Sequence, residues 1–217
     1  MKVTWLGESG LLFKNDKITV LVDPCITFCD SDKSFLNETP DAVVLTHTHA
    51  HHFDPAALKC ILGVGNNVTV LASEGAYSMV LPLAKGDNPV LLSPHTVYSI
   101  NGVTFYSVKA EHTDRTAIGV IIDDGEKTYY VSGDTLYNFD VIDDVLDLAP
   151  DGVDYAFLPI NGTEGNMNAK DAADFAYEIS ADRAIPLHFG KGYKVAPEEF
   201  DFEDALILSP FEEKSLS

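Results

Sequence analysis

The chain has 217 residues and carries 34 Asp plus Glu against 14 Lys plus Arg, a formal net charge of −20. So acidic a chain lacks the basic footprint that tracking a nucleic-acid backbone requires, and no nucleic-acid partner is expected. An apolar share of 46% suffices for a core, no apolar run reaches membrane-spanning length, and from the strand-like opening Met1-Lys2-Val3-Thr4-Trp5 no secretory signal is expected.

The length suits a single domain spanning residues 1–217. In chain order, Val3 to Leu6, Gly10 to Phe13 and Ile18 to Val22 read as short strands, the last closing on Asp23-Pro24. The polar stretch from Cys25 to Pro40 reads as a loop, followed by a buried strand at Ala42 to Leu45. Pro55 to Leu62 reads as a helix, Val68 to Leu71 as a strand and Glu74 to Leu81 as a short helix. A second series follows, with strands at Val103 to Val108, Ile118 to Ile122 and Lys127 to Val131, the last two joined by a hairpin at Asp123-Asp124-Gly125. Helices are expected at Phe139 to Leu148 and Ala169 to Ile179, and strands at Tyr155 to Leu158 and Arg183 to Leu187. Glu198 to Leu206 reads as a terminal helix, with frayed residues after it. Two halves, each with strands first and helices later, predict an α/β four-layer αββα sandwich: two mixed sheets packed face to face, with helices outside.

Three cysteines, Cys25, Cys29 and Cys60, form no secreted framework and suit reduced thiols in a cytoplasm. Cys25 and Cys29 have no further Cys or His beside them to complete a metal set.

Four of the seven histidines lie in Thr46-His47-Thr48-His49-Ala50-His51-His52-Phe53-Asp54-Pro55. The run joins a buried strand to a helix start, with Asp54 as N-cap and Pro55 at the first helical position. Imidazole is the commonest nitrogen ligand for zinc-like ions. In an extended segment His47, His49 and His51 share one face, and His52 turns the other way toward a second ion. His112, Asp134 (after Ser132-Gly133) and His188 also fall where strands end. An Asp there can bridge two cations through its two oxygens. His95, in Ser93-Pro94-His95-Thr96, reads as a surface loop residue.

With these residues in place, the chain resembles the metallo-β-lactamase-fold hydrolases from near Met1 to about Gly190. The resemblance implies that one ion takes His47, His49 and His112, while a second takes His52 and His188, with Asp134 between them. Trp5-Leu6-Gly7 and Val22-Asp23-Pro24 are typical as well. Within the superfamily the chain looks most like the L-ascorbate-6-phosphate lactonase group. Pro159-Ile160-Asn161-Gly162-Thr163-Glu164-Gly165-Asn166-Met167-Asn168-Ala169-Lys170 resembles that group's Asn-rich loop, and Thr116 to Val120 and Pro186 to Gly190 fit it too. The chain is shorter than a typical member. Asn168 is expected to cap a helix, while Asn161 and Asn166 are candidate substrate or supporting contacts.

Two positions depart from the pattern. His51 stands where the motif has Asp, and Glu8 where a His is common. Imidazole ligates a cation without bringing negative charge, so His51 is a candidate ligand and proton acceptor, and Glu8 a candidate supporting carboxylate. Arg115 is a candidate anchor for an anionic substrate group, or else the partner of a surface acid such as Asp114. The resemblance implies metal-dependent hydrolysis of a small ester-type molecule such as a lactone, with one or two divalent ions activating water; Asp134 and, in place of the motif's Asp, His51 are the candidate catalytic groups. Zn suits so nitrogen-rich a set best, followed by Mn, Fe or Ni. Phosphodiesterase or nuclease activity, a weakly active metal-binding relative, and a di-iron redox protein are the alternatives on the same fold. The substrate is a small molecule, no membrane partner is expected, and a homo-oligomer is open.

Overall fold

A computed structural model describes residues 1–26, 33–64, 67–190 and 192–216. Its contacts divide the chain into two units, Met1–Leu92 with Leu208–Ser217, and Ser93–Ile207.

The first unit is built on a seven-stranded mixed sheet. Its strands are β1 (Lys2–Gly7), β2 (Gly10–Lys14), β3 (Thr19–Val22), β4 (Ala42–Leu45), β5 (Thr69–Ser73), β6 (Asn88–Leu92) and β13 (Glu213–Ser215), in the order β13-β1-β2-β3-β4-β5-β6. β1 alternates over its first four residues, with Val3 and Trp5 buried, Lys2 exposed and Thr4 half-buried. β4 and β5 are buried at every position, as strands covered on both faces must be. β1, β2 and β3 pair antiparallel, and β3 to β6 pair parallel, so β1 and β3 to β6 all run one way. The loops that leave β1, β3 and β4 therefore emerge at one edge of this sheet. Helix α1 (Pro55–Val64) starts where Asp54 Oδ1 accepts from the backbone N–H groups of Ala56 and Ala57, at 2.8 and 3.2 Å. That is the expected Asp cap with proline at the first position. Helix α2 (Glu74–Val80) follows β5. Leu21, Val43, Leu45, Leu58, Ile61 and Val70 form the centre of this unit's core.

The second unit holds a six-stranded mixed sheet of β7 (Val97–Ile100), β8 (Val103–Lys109), β9 (Ile118–Asp123), β10 (Thr128–Val131), β11 (Tyr155–Pro159) and β12 (Arg183–Leu187). The order is β12-β11-β10-β9-β8-β7. β8, β9 and β10 pair antiparallel while β10, β11 and β12 pair parallel, so β8, β10, β11 and β12 share a direction. His112, Asp134, Asn161 and His188 follow those four strands and lie at one edge of the sheet. Helices α3 (Phe139–Leu148) and α4 (Ala169–Glu178) are capped by Asn138 and Asn168, whose side chains accept from the N–H groups of Asp140 (2.7 Å) and Asp171 (2.9 Å). Tyr130 and Phe175 stack in the core at 6.2 Å between centroids. Burial and the nearby Asp144 push the Tyr130 hydroxyl far above the usual phenol range, so it stays neutral.

Two expectations fail at the C-terminal end. Glu198 to Leu206 is no helix: a short 3-10 turn at Pro197–Glu199 precedes irregular chain. Phe200 and Phe202, two residues apart, are both buried, a spacing that a helix would split between faces. The chain instead lies along β12, with an Ala184–Ala205 bridge and Leu206 N–H on Ala184 O at 2.9 Å. The last described residues, up to Leu216, are not frayed, since β13 pairs with β1, Lys2 Nζ meets Glu213 Oε1 at 2.7 Å, and Leu216 is buried. Sequence patterning also misses β6 and β7. Both are edge strands; Pro89 is tolerated in β6, and β7 only half alternates. Cys29 lies outside the described residues. Among the described residues, no helix is long and apolar enough to cross a membrane.

Gly152 has φ +88°, and a Cβ built there would lie 2.2 Å from the carbonyl oxygen of Ser180. Backbone must move to admit it. Gly152→Ala should therefore lower the unfolding free energy by at least about 2 kcal/mol in a denaturant titration, and an unchanged midpoint would refute this packing.

Candidate metal centre

In the first unit the histidine run leaves β4 and does not stay extended. The N–H groups of His52 and Phe53 both donate to His49 O, at 2.9 and 2.8 Å, closing a turn. The alternation expected for His47, His49 and His51 is broken there. The turn sets the His52 ring beside His47, with centroids 4.0 Å apart, and His49 lies 4.7 Å from His47. His47 and His52 are fully buried, while His51 is half-buried. The turn thus brings the rings of His47, His49 and His52 together.

Asp23 holds this group in place. It follows β3 in a left-handed conformation, φ 44°, and is 1% exposed. Its Oδ1 accepts from Thr46 N–H at 2.8 Å. Its Oδ2 takes the Thr46 hydroxyl at 2.6 Å and His52 Nδ1 at 2.7 Å. A buried carboxylate with these donors keeps the His52 proton on Nδ1 and leaves Nε2 with the lone pair that a cation needs. Asp23 N–H in turn donates to Val44 O at 2.9 Å, fixing the β3 exit against β4. Glu8 lies in the turn after β1, with φ 51° and its carbonyl accepting from Trp5 Nε1 at 3.0 Å. The neighbouring Ser9 hydroxyl donates to His51 O at 2.9 Å, so this turn supports the histidine loop. Cys25 does so too, donating from Sγ to Ala50 O at 3.4 Å.

In the second unit three loop residues meet. Asp134 is 3% exposed and turns one oxygen toward each of two imidazoles, Oδ1 to His188 Nε2 at 3.2 Å and Oδ2 to His112 Nε2 at 3.8 Å. Both rings are held from behind. His112 Nδ1 donates to Gly165 O at 3.1 Å, and His188 Nδ1 meets the Tyr193 hydroxyl at 3.1 Å. Gly165 cannot carry a side chain here: φ is +84°, and a Cβ would stand 3.0 Å from His112 Nδ1. His188 itself adopts φ 57°, the left-handed region. The supporting loops are stitched together by Glu111 N–H on Thr135 Oγ1 (3.0 Å), Leu136 N–H on Glu111 O (2.8 Å) and Met167 N–H on Thr135 O (3.0 Å).

The donor chemistry fits a borderline transition-metal ion in both units. Each supplies buried imidazoles, and in the second an anionic carboxylate faces two ring nitrogens at once.

The other candidates are placed as follows. Asn168 caps α4, as expected. Asn161 Nδ2 donates to Thr163 Oγ1 at 3.3 Å, and Asn166 is buried. Arg115 is exposed, and Asp114 accepts instead from the N–H and hydroxyl of Thr116. His95 is an exposed loop residue, with Nε2 3.0 Å from Asp144 Oδ1. Sequence reasoning passed over Thr46, Gly165 and Tyr193, and took Asp23 only as part of a turn. The one available signal was Asp23 itself, a carboxylate directly after a fully apolar strand.

Residues 2–188 match the family described as the Beta-lactamase superfamily domain. A UPF0173 metal-dependent hydrolase from Methanopyrus kandleri is 26% identical over 239 residues, covering 98% of each chain. One from Exiguobacterium sp. is 28% identical over 206 residues, covering 87% of this chain and 86% of that one. Among solved structures, Igni18, a novel metallo hydrolase from the archaeon Ignicoccus hospitalis, superposes with a TM-score of 0.82 at 21% identity, over 100% of this chain and 99% of the other. Two mixed sheets with helices, the expected α/β class, are the fold of these neighbours.

Asp23→Asn keeps the shape but cannot accept from three donors with its one remaining oxygen. Competition against a chromophoric chelator should show metal affinity reduced about 10- to 100-fold, with the circular dichroism spectrum unchanged. Full retention of affinity would show that His52 needs no such anchor.

Proposed function

The chain belongs to the β-lactamase superfamily, and on that premise we propose that it is a metal-dependent hydrolase acting on a small ester-type substrate, with lactones the favoured class. The observation that carries this reading is Asp134, with one oxygen toward each of two imidazoles whose other nitrogens are already engaged. In the order of the superfamily motif, His47, His49, His112 and Asp134 would hold one ion, and His52, Asp134 and His188 a second. A single domain over residues 1–217 belongs to the same reading. Zn is the favoured metal, and Mn, Fe or Ni suit the same nitrogen-rich set.

A bound divalent ion supplies Lewis acidity, making water ionise near neutral pH and drawing charge from a carbonyl or phosphoryl oxygen. The chain's own residues do the rest. Asp23, Gly165 and Tyr193 fix the rings of His52, His112 and His188. Asp134 orients both ligand sets. His51 offers an imidazole as proton acceptor and as donor to the leaving alkoxide, and Glu8 contributes negative charge from the neighbouring turn. Arg115, Asn161 and Asn166 are the substrate contacts. The net charge of −20 argues against a polyanionic substrate and for a small one. The lactonase likeness rests on the Asn-rich loop and on the segments around Thr116 and His188.

One observation favours a second reading, a metal-binding relative with weak activity. His51 is half-buried in the turn and brings no negative charge where the motif has a carboxylate. The two readings separate on His51→Asp. If wild type hydrolyses no lactone, ester, thioester or phosphodiester with Zn, Mn, Fe or Ni while the variant does, the natural chain is the binding relative.

For the hydrolase, elemental analysis of protein purified without added metal should give two equivalents per chain, and one in His188→Ala. Dialysis against a chelator should abolish turnover, and one of the four metals should restore it. Activity that survives complete metal removal would overturn the proposal.

A further inference from the structure

The loop between β11 and α4 carries an amide with no structural task. Asn166 is 4% exposed, and neither its Oδ1 nor its Nδ2 has a hydrogen-bond partner among the described residues. The usual roles of asparagine do not use this side chain. Capping of α4 falls to Asn168, and the turn at Thr163–Asn166 closes through backbone, with Asn166 N–H on Thr163 O at 3.1 Å. Burial strips water from both ends of the amide, and the fold returns nothing to either.

Its neighbours in the chain fix where this amide sits. Gly165 O accepts from His112 Nδ1 at 3.1 Å, and Met167 N–H donates to Thr135 O at 3.0 Å, beside Asp134. The residue is thus clamped on one side to the loop of His112 and on the other to the loop of Asp134. Asn161, in the same loop, also has an Oδ1 with no partner among the described residues. Unsatisfied amide groups therefore gather in the segment that backs two proposed ligands.

A carboxamide presents one acceptor and one donor side by side in a plane. Its complement is a planar group with a donor and an acceptor in the opposite order, as in a lactam, a primary carboxamide or a ureide. A carboxylate would set an oxygen against Asn166 Oδ1, and a hydrocarbon would leave both ends unpaired. We propose that Asn166 is a specificity-determining residue that reads a lactam- or carboxamide-type edge on the substrate, beside the bond to be cleaved. This rests on the hydrolase reading above. Sites built to hydrogen-bond a substrate group reject analogues that lack it, because their own buried polar groups are then left unpaired.

The probes are para-nitrophenyl esters of three five-membered ring acids: pyroglutamic acid with its lactam edge, oxocyclopentanecarboxylic acid with a carbonyl alone, and cyclopentanecarboxylic acid with neither. After division by each ester's rate with hydroxide, wild-type kcat/KM should favour the lactam over the ketone by about 10-fold, and over the hydrocarbon by about 100-fold. Asn166→Asp, nearly isosteric, and Asn166→Leu should both lose that ranking while metal content stays at the wild-type level. Equal rankings in wild type and both variants would overturn the proposal. Should wild type cleave none of the three, the side-chain NH2 resonances of Asn166 are followed by NMR as pyroglutamamide is added. A saturable shift there upholds the recognition while the ester-hydrolase reading falls. The absence of any shift overturns the recognition itself and leaves the amide to a structural water.

Discussion

An imidazole can give a lone pair to a cation through one nitrogen only while the other keeps its proton. That constraint explains much of the chain's local architecture. His52 has Asp23 behind it, His112 has the carbonyl of Gly165, and His188 has the hydroxyl of Tyr193. Three chemically different partners serve the same end, and each comes from a different loop. Asp23 does most, because it also binds both the N–H and the hydroxyl of Thr46 and so ties the exit of β3 to that of β4. The left-handed backbone of Asp23 and His188 fits this account. Both residues accept an unfavourable conformation where a polar side chain must be aimed.

Strand direction supplies the second requirement. Ligands distant in sequence can meet only if their loops leave a sheet at the same edge. In the first sheet β1, β3 and β4 run together, which puts Glu8, Asp23 and His47 at one edge. In the second, β8, β10, β11 and β12 do the same for His112, Asp134, Asn161 and His188. Among these strands β4 and β11 are buried at every position, as parallel strands covered on both faces are.

Those same runs are why much of the chain was legible before its structure. Continuous burial at Ala42 to Leu45 and at Tyr155 to Leu158 marks strands by composition alone, and a polar residue directly after such a run marks a loop at a sheet edge. Asp54-Pro55 and Asn168 announced their helices through capping chemistry, which is local. What failed was not local. Strand periodicity puts His47, His49 and His51 on one face, but two N–H groups converging on His49 O fold the run into a turn that sets the His52 ring beside His47. Phe200 and Phe202 fall in a stretch expected to be helical, whereas the chain there runs along β12 and both rings are buried. β13 is three exposed residues that owe their order to β1 at the far end of the chain. Tyr193 and Gly165 gave no sign at all, because backing a ligand needs only a hydroxyl or a carbonyl.

His51 has two opposed consequences for the proposed chemistry. A carboxylate ligand donates negative charge and softens a cation's pull on water, so an imidazole in its place leaves the ion the stronger Lewis acid. The same exchange removes an anionic acceptor with two oxygens and leaves a neutral one that accepts at a single nitrogen. The first effect favours ionisation of water, and the second takes negative charge and one acceptor atom away from the cation's surroundings. With Asp134 as the single carboxylate among the proposed ligands, the balance falls on groups just outside the set. Asp23 contributes its charge through His52. Glu8 lies in the turn that Ser9 fastens to His51 O, the nearest carboxylate in sequence to that clasp. On the proposed ligand assignment, an acid given up at His51 and another placed at Glu8 would move charge from the cation's ligands to their support. There it would stabilise positive charge without occupying a coordination position.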